Sequence, residues 1–209
     1  MLVIERNSER DLTAWSDVNW TATEANVRHL QDRIFRATKT KDFRTVRNLQ
    51  KFLVRSTSAK LKAIRRVTQE NDGRHTPGID GVVCNTSTSR LLLLKSGLNL
   101  RGYKPLPVRR VYIPKASGGQ RSLGIPTVKD RIMQAIVKMA LEPEWECRFE
   151  PNSYGFRPGR SCHDTVTALH TAMCKPGSSE WVLDAGPDSA GTTPHGPVGD
   201  SWGFQCPPS

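Results

Sequence analysis

One stretch constrains this chain more than any other: VRRVYIPKASGGQRSLGIPTVKDRIMQAIVKMALEPEWECRFEPNSYGFRPGR, residues 108–160. It reads as a strand, a Gly-Gly turn, a second strand, a long helix and an Arg-Gly-rich loop. Val108, Val111, Ile113, Leu123 and Ile125 give the partly β-branched pattern of a half-buried antiparallel hairpin. Gly118 and Gly119 supply the free backbone that the turn needs. Lys115 and Arg121 flank the turn, so two cations come to one end of a small platform. That arrangement suits a polyphosphate or a nucleic-acid backbone.

Charge narrows the partner. The 209 residues carry 31 Lys and Arg against 20 Asp and Glu, a formal net charge of +11. Such a balance favours nucleic acid first and an anionic membrane second. The positive charge is also concentrated upstream, where three helices are expected. The first starts at Thr23-Glu24 with Val27, Leu30 and Ile34 inward. The second is capped by Asp42, with Phe43, Val46, Leu49 and Leu53 as its stripe. The third runs from about Ser58, with Leu61, Ile64 and Val67 inward, and stops at Asn71-Asp72-Gly73. Their other faces carry Arg28, Arg33, Arg36, Lys39, Lys41, Arg44, Arg47, Lys51, Arg55, Lys60, Lys62, Arg65 and Arg66, with Glu24, Asp32 and Asp42 as the acids. A solvated charged face is usually mixed in sign. A face of one sign repels itself until a polyanion neutralises it, which points to RNA or DNA backbone contacts that set position and carry little sequence information.

Residues 1–22 are polar and read as a weakly structured leader. The loop DGRHTPGIDGV, residues 72–82, holds His75 and Asp80; the pair reads either as a structural turn, the better supported, or as a metal or acid/base pair. A short helix is expected over Thr88–Gly97 with Leu91–Leu94 buried. Tyr103–Pro107 leads into the hairpin in extended form because each proline disfavours helix before it. After the hairpin, Thr127 and Asp130 start a helix whose stripe is Ile132, Ala135, Ile136, Met139 and Ala140. Lys129, Arg131 and Lys138 stay polar, Pro143 kinks or ends the helix, and Trp145 and Phe149 read as core anchors rather than base-stacking residues. In SYGFRPGRS, Tyr154 and Phe156 stand beside Arg157 and Arg160. They read equally as a stacking surface for a single strand and as an aromatic-anchored loop with solvated arginines. Residues 161–173 read as a helix with Val166, Leu169 and Met173 as its stripe, and WVLDA, 181–185, as the start of a buried strand.

The five cysteines are odd in number and form no CxxC, which argues for a reducing compartment over a disulfide scaffold. Cys162, His163, His170 and Cys174 lie on or beside one helix but follow no zinc spacing, so ordinary helix residues are expected and no metal site. No apolar run approaches membrane-spanning length, and the N-terminus lacks a signal-peptide core. The expectation is a soluble, cytoplasmic protein without a membrane partner.

The run VYIPKASGGQRSLGIPTVKDRIMQAIVKMALEPEWECRFEPNSYGFRPGRS closely resembles the finger region of group II intron reverse transcriptases, the intron-encoded maturases. The helices with VRNLQKFLVRSTSAKLKAIRRVTQEN and the TPGIDGV loop resemble that family's N-terminal extension. The resemblance covers roughly residues 20–185 and is specific. It implies an RNA-directed DNA polymerase that also helps intron RNA fold and splice. It implies that Lys115 and Arg121 contact the triphosphate of an incoming deoxynucleotide, and that the 71–82 loop lies over the template. It implies that Tyr154, Phe156, Arg157 and Arg160 support template and nucleotide. It further implies that the basic surface with Arg44, Arg47, Lys51, Arg55, Lys62, Arg65 and Arg66 grips intron or template RNA. The expected fold is α+β: basic N-terminal helices, then an antiparallel finger hairpin with packed helices, an incomplete fingers–palm domain. The expected divisions are a leader at 1–22, a basic helical extension at 23–82, fingers and the start of the palm at 83–185, and a divergent disordered tail at 186–209.

The resemblance stops at the palm. The family places its first catalytic metal ligand, an aspartate, where this chain has Gly186; Asp184 matches a variable position two places earlier. No Ala-Asp-Asp motif follows. The tail has Asp188 and Asp200 as its charges, no Lys or Arg, and 5 of the 16 glycines. Such a segment buries too little apolar surface to offset its ordering entropy. The expectation is that no residue here is catalytic and that the ligands for the family's Mg2+ are missing. Deoxynucleotide would then bind only if a palm is supplied elsewhere, and the chain is either an inactive fragment that still binds RNA or a non-functional pseudogene product. A shifted reading frame after codon 185 would explain the break.

Overall fold

Caps and apolar periodicity set the elements. The computed structural model describes residues 12–115 and 118–174, and the expectations for 1–11 and 175–209, the WVLDA strand and the tail included, lie outside the described residues. The chain divides into two units, Met1–Ser153 and Tyr154–Ser209. In the first, a short turn at Trp15–Asp17 precedes α1 (Trp20–Lys39), α2 (Phe43–Arg55) and α3 (Thr57–Arg65). A π turn at Arg66–Glu70 and a 3-10 turn at Asp72–His75 lead to α4 (Ser87–Lys95). The hairpin β1 (Arg109–Pro114) and β2 (Gln120–Ile125) follows, then α5 (Val128–Arg148).

Helix α1 starts three residues earlier than expected because the Asn19 side chain accepts from the Ala22 amide, capping an orphan donor. Asp42 caps α2 as expected, accepting from Thr45 N, and these bonds hold its carboxyl below the usual range. Ser56 caps α3. The core joins Val27, Leu30 and Ile34 of α1, Val46, Leu49 and Leu53 of α2, Leu61 and Ile64 of α3, and Ile132, Ile136 and Met139 of α5. Helix α5 packs against all three N-terminal helices.

Pro143 does not end α5; it is buried inside the helix, which runs on to Arg148. A proline lacks the N–H that would bond the carbonyl four residues back. That carbonyl, Met139 O, instead accepts from Gln31 Nε2 of α1 at 3.0 Å. The helix–helix contact thus satisfies the group that the proline leaves open.

Several burial expectations are corrected. Phe43 is exposed at the first turn of α2, and of the leucine run only Leu94 is buried while Leu92 points to solvent. A single short helix can bury one face only. Trp145 and Phe149 are exposed, not core anchors. At 100° per residue they fall on the side of α5 opposite Ile132 and Ile136.

The hairpin pairs Arg109 with Ile125 and Ile113 with Arg121 in antiparallel register. It is more exposed than expected: Val108, Ile113 and Leu123 all face solvent, and only Arg109, Val111 and Ile125 are half-buried at its base. Among the described residues the sheet has two strands and no second layer over them, so neither face is covered along its length. Gly118 and Gly119, both at φ +82°, make the turn, where side-chain-bearing residues would be strained.

In the second unit, α6 (Cys162–Met173) is opened by a capping box between Ser161 and Asp164. Its expected inward stripe, Val166, Leu169 and Met173, is exposed. It is the one regular element among the described residues of its unit, and none of those residues forms a second element over the stripe.

Candidate nucleic-acid interface

Helix α2 presents the clearest array of charge. Arg44, Arg47, Lys51 and Arg55 recur at spacings of three, four and four, which places them on one face. All four are exposed, while Val46, Leu49 and Leu53 occupy the buried side. The stripe is about 16 Å long at 1.5 Å per residue. Arg44 acts electrostatically on Asp42 at the helix start. Among the described residues, no ion pair engages Arg47, Lys51 or Arg55.

The cations of α3 are placed differently. Arg65 Nε lies 3.0 Å from Glu70 Oε1 and Nη1 lies 3.4 Å from Glu24 Oε1. Its guanidinium also stacks 4.7 Å over the Trp20 ring. Its charge therefore ties α1 to the end of α3. Lys62 and Arg66 line the same open groove of about 490 Å³ with Glu24, Glu70, Asn71 and Asp72, so the charge there is mixed.

The loop at 72–82 is seated on the start of α5. Arg131 donates from Nη1 to the Gly73 carbonyl at 2.9 Å and from Nη2 to the Thr76 carbonyl. Burial lowers its pKa, with Asp80 and Cys84 opposing. Gly78 lies so close to α5 that a Cβ built there would meet Thr127 Cα at 2.6 Å. His75 and Asp80 do not pair: His75 Nε2 accepts from Arg74 Nε at 3.1 Å, and Asp80 Oδ1 accepts from the Val82 amide at 3.3 Å. The turn reading describes them.

A buried polar joint sits beneath this loop. Asp130 accepts from the Thr127 hydroxyl at 2.6 Å and from the Tyr103 hydroxyl, and its own amide donates to Thr127 Oγ1 at 3.1 Å. Burial pushes the Asp130 carboxyl up, but bonds from Thr127 and Tyr103, with backbone N–H groups of Thr127 and Leu106, outweigh it, and the net pKa is lowered. Burial and the neighbouring carboxylate push the Tyr103 phenol up to about 12. The joint fixes the segment before the hairpin to the helix after it, and so aims the hairpin.

At the hairpin's far end Lys115 and Arg121 are both exposed. The Lys115 amide donates to the Gly119 carbonyl and the Gly118 amide to the Lys115 carbonyl, each at 3.1 Å. The turn therefore brings both residues to one end; Ala116 and Ser117 between them lie outside the described residues. In the second unit, Arg160 stacks 5.5 Å over the Tyr154 ring and Arg157 is buried. Phe156 is fully exposed at φ +59°. An aromatic residue in the left-handed region is sterically costly, and such strain clusters at binding sites.

Sequence reasoning does not group four residues that the fold brings together: Phe43, Trp145, Arg148 and Phe149. Arg148 lies 5.1 Å from the Phe43 ring and 5.4 Å from the Trp145 ring. The signal that reveals them is the angular position of Trp145, Arg148 and Phe149 on α5, away from its buried stripe.

Among the described residues, no cluster of three or more His, Cys, Asp or Glu is placed to hold a metal ion. The position at which the resemblance places the first Mg2+ ligand, Gly186, lies outside the described residues. Lys115 and Arg121 are cations and bind anions, not metal. No helix among the described residues is long and apolar enough to cross a membrane.

Comparison with known proteins fits this arrangement. Residues 15–96 match the family described as the N-terminal domain of reverse transcriptase, and residues 113–186 match reverse transcriptase (RNA-dependent DNA polymerase). Protein YkfC of Escherichia coli is 42% identical over 136 residues, 62% of this chain and 36% of that protein. The group II intron-encoded protein LtrA of Lactococcus lactis subsp. cremoris is 40% identical over 116 residues, 54% of this chain and 19% of its own length. Maturase-like protein 1 of Euglena gracilis is 31% identical over 139 residues, covering 66% and 30%. The two reverse transcriptase models and these relatives together support part of a group II intron reverse transcriptase/maturase. The chain spans about a third or less of the length of relatives such as LtrA and maturase-like protein 1.

Proposed function

We propose that this chain is an RNA-binding part of a group II intron reverse transcriptase/maturase, and that these 209 residues alone do not polymerise DNA. The exposed one-sign stripe Arg44, Arg47, Lys51 and Arg55 carries the reading. Its cations are positioned by a packed helix, and three of them make no ion pair among the described residues, so phosphate is the natural counter-charge. Lys62 and Arg66 extend the basic surface. Arg65 orders it from within. Tyr154, Phe156, Arg157 and Arg160 support the template strand, and Lys115 and Arg121 attract a triphosphate when a palm is supplied elsewhere. In this reading 23–82 is the RNA-gripping extension, 83–185 the fingers and the start of the palm, and 186–209 a divergent tail.

The departure from the resembled family at Gly186, where that family has its first metal ligand, supports the absence of chemistry. Two-metal phosphoryl transfer needs carboxylates that clamp both ions, and one aspartate, Asp184, does not supply them. The purified chain, given primed RNA template, deoxynucleotides and Mg2+, is expected to incorporate nothing; template-directed incorporation would overturn this half of the reading. RNA binding is expected to persist and to depend on salt. Four phosphates neutralised on a single strand give an affinity loss of about 50-fold between about 50 and 200 mM salt. Affinity that holds constant over that range would overturn the other half.

A further inference from the structure

Beyond the α2 stripe, the first unit exposes an aromatic and cationic cluster that the proposed function does not use. Phe43 opens α2; Trp145, Arg148 and Phe149 end α5 and cap it. The three rings are 40%, 47% and 45% exposed in the order Phe43, Trp145, Phe149. Trp145 and Phe149 have ring centroids 6.2 Å apart, tilted by 36°. The Arg148 guanidinium lies over both Phe43 and Trp145. It is held there by an ion pair to Glu144, which also accepts from Gln50 Nε2 of α2 at 2.7 Å. The guanidinium is thus braced from two helices, so the cluster is ordered before anything binds.

We propose that this cluster is a stacking site for an unpaired base of an RNA strand whose phosphates follow the α2 stripe; the inference rests on the RNA-binding reading above. Two observations fix the occupant. Phe43 adjoins Arg44, the first cation of the stripe, so a strand running along α2 arrives at the rings at one end. The site also mixes aromatic surface with fixed positive charge. An apolar protein surface would have to desolvate the exposed Arg44 beside the rings without adding a counter-charge, whereas a nucleotide offers a π face to the rings and phosphate to Arg44. Stacking of this kind tolerates any base, because every base has a π face. A continuous duplex cannot use the site, since its bases are already stacked on one another.

The test uses the full 209-residue chain, a labelled single-stranded RNA of about 12 nucleotides, within the range such sites span, and a blunt RNA duplex of equal length. Trp145→Ala and Phe43→Ala are each expected to weaken single-strand binding about tenfold, with duplex affinity and melting temperature as in the unsubstituted chain. Trp145→Phe, which keeps a ring, restores most of the loss. An oligomer with abasic positions binds the unsubstituted chain about tenfold more weakly and erases its advantage over Trp145→Ala, a readout that needs no altered protein for its first arm. Single-strand affinity unchanged in folded Trp145→Ala, or equal losses on single strand and duplex, overturns the stacking site while the RNA-binding reading stands. Failure of the unsubstituted chain to bind either RNA overturns both.

Discussion

Asp130→Ala is expected to lower the melting temperature of the chain by about 10 °C, a loss of about 3 kcal/mol for a domain of this size. The carboxylate is almost fully buried and accepts from two hydroxyls, Thr127 and Tyr103. Alanine removes both charge-assisted bonds, leaves the Tyr103 hydroxyl without its acceptor and weakens the cap of α5. The effect has a pH signature. The folded Asp130 pKa is lowered from 3.8, so its contribution is present above 3.8 and is lost as pH falls through the lower folded value. Tyr103 is raised from 10.0 to about 12, so its contribution as a neutral donor is complete below 10.0 and is lost as pH rises through about 12. The gap in melting temperature between the unsubstituted chain and Asp130→Ala should be widest near neutral pH and close at both extremes. Thermal melts across that range check it; a gap independent of pH would mean that the charge on Asp130 is not what stabilises the joint.

Gly78→Val is expected to cost about 3 kcal/mol by steric overlap. The backbone conformation at Gly78 suits any residue; the obstacle is space. Its Cβ would lie 2.6 Å from Thr127 Cα and 2.8 Å from Thr127 N, both backbone atoms of a capped helix start that cannot swing aside. The loop must lift away, and with it the Gly73 and Thr76 carbonyls leave Arg131. Trypsin should then cut faster after Arg74. Gly155→Ala, where no atom lies within 4 Å of the added methyl, is the control and should change neither reading. Cleavage after Arg74 at the original rate in Gly78→Val would contradict the seating of the loop.

The caps and core stripes are legible in the sequence because each rests on local chemistry. Asp42 followed by an apolar stripe, Thr127 before Asp130, and the Gly-Gly turn each need only neighbours in the chain. Burial that depends on a second layer is not legible in the same way. Val108, Ile113 and Leu123 have strand-like patterning, but no described element covers the hairpin, so they stay exposed. Trp145 and Phe149 depart from expectation for a different reason. Reading Pro143 as a break discards helical register beyond it. Because Gln31 satisfies the Met139 carbonyl, α5 continues through the proline and carries both rings to the side away from the core. Arg65 shows the limit of counting charges: its ion pairs to Glu24 and Glu70 and its stacking on Trp20 join positions 41, 5 and 45 residues away in the chain, and only the fold reveals that such a cation is engaged.

The proposed site for RNA backbone is the α2 stripe. The direct measurement is the slope of log affinity against log salt, for the unsubstituted chain and for a variant with Arg44→Gln, Arg47→Gln, Lys51→Gln and Arg55→Gln together. All four side chains are exposed, so the variant should fold. The expected slope is shallower by about 2.8, from about 0.7 for each of four released counterions on a single strand. A folded variant with the original slope and affinity would contradict it.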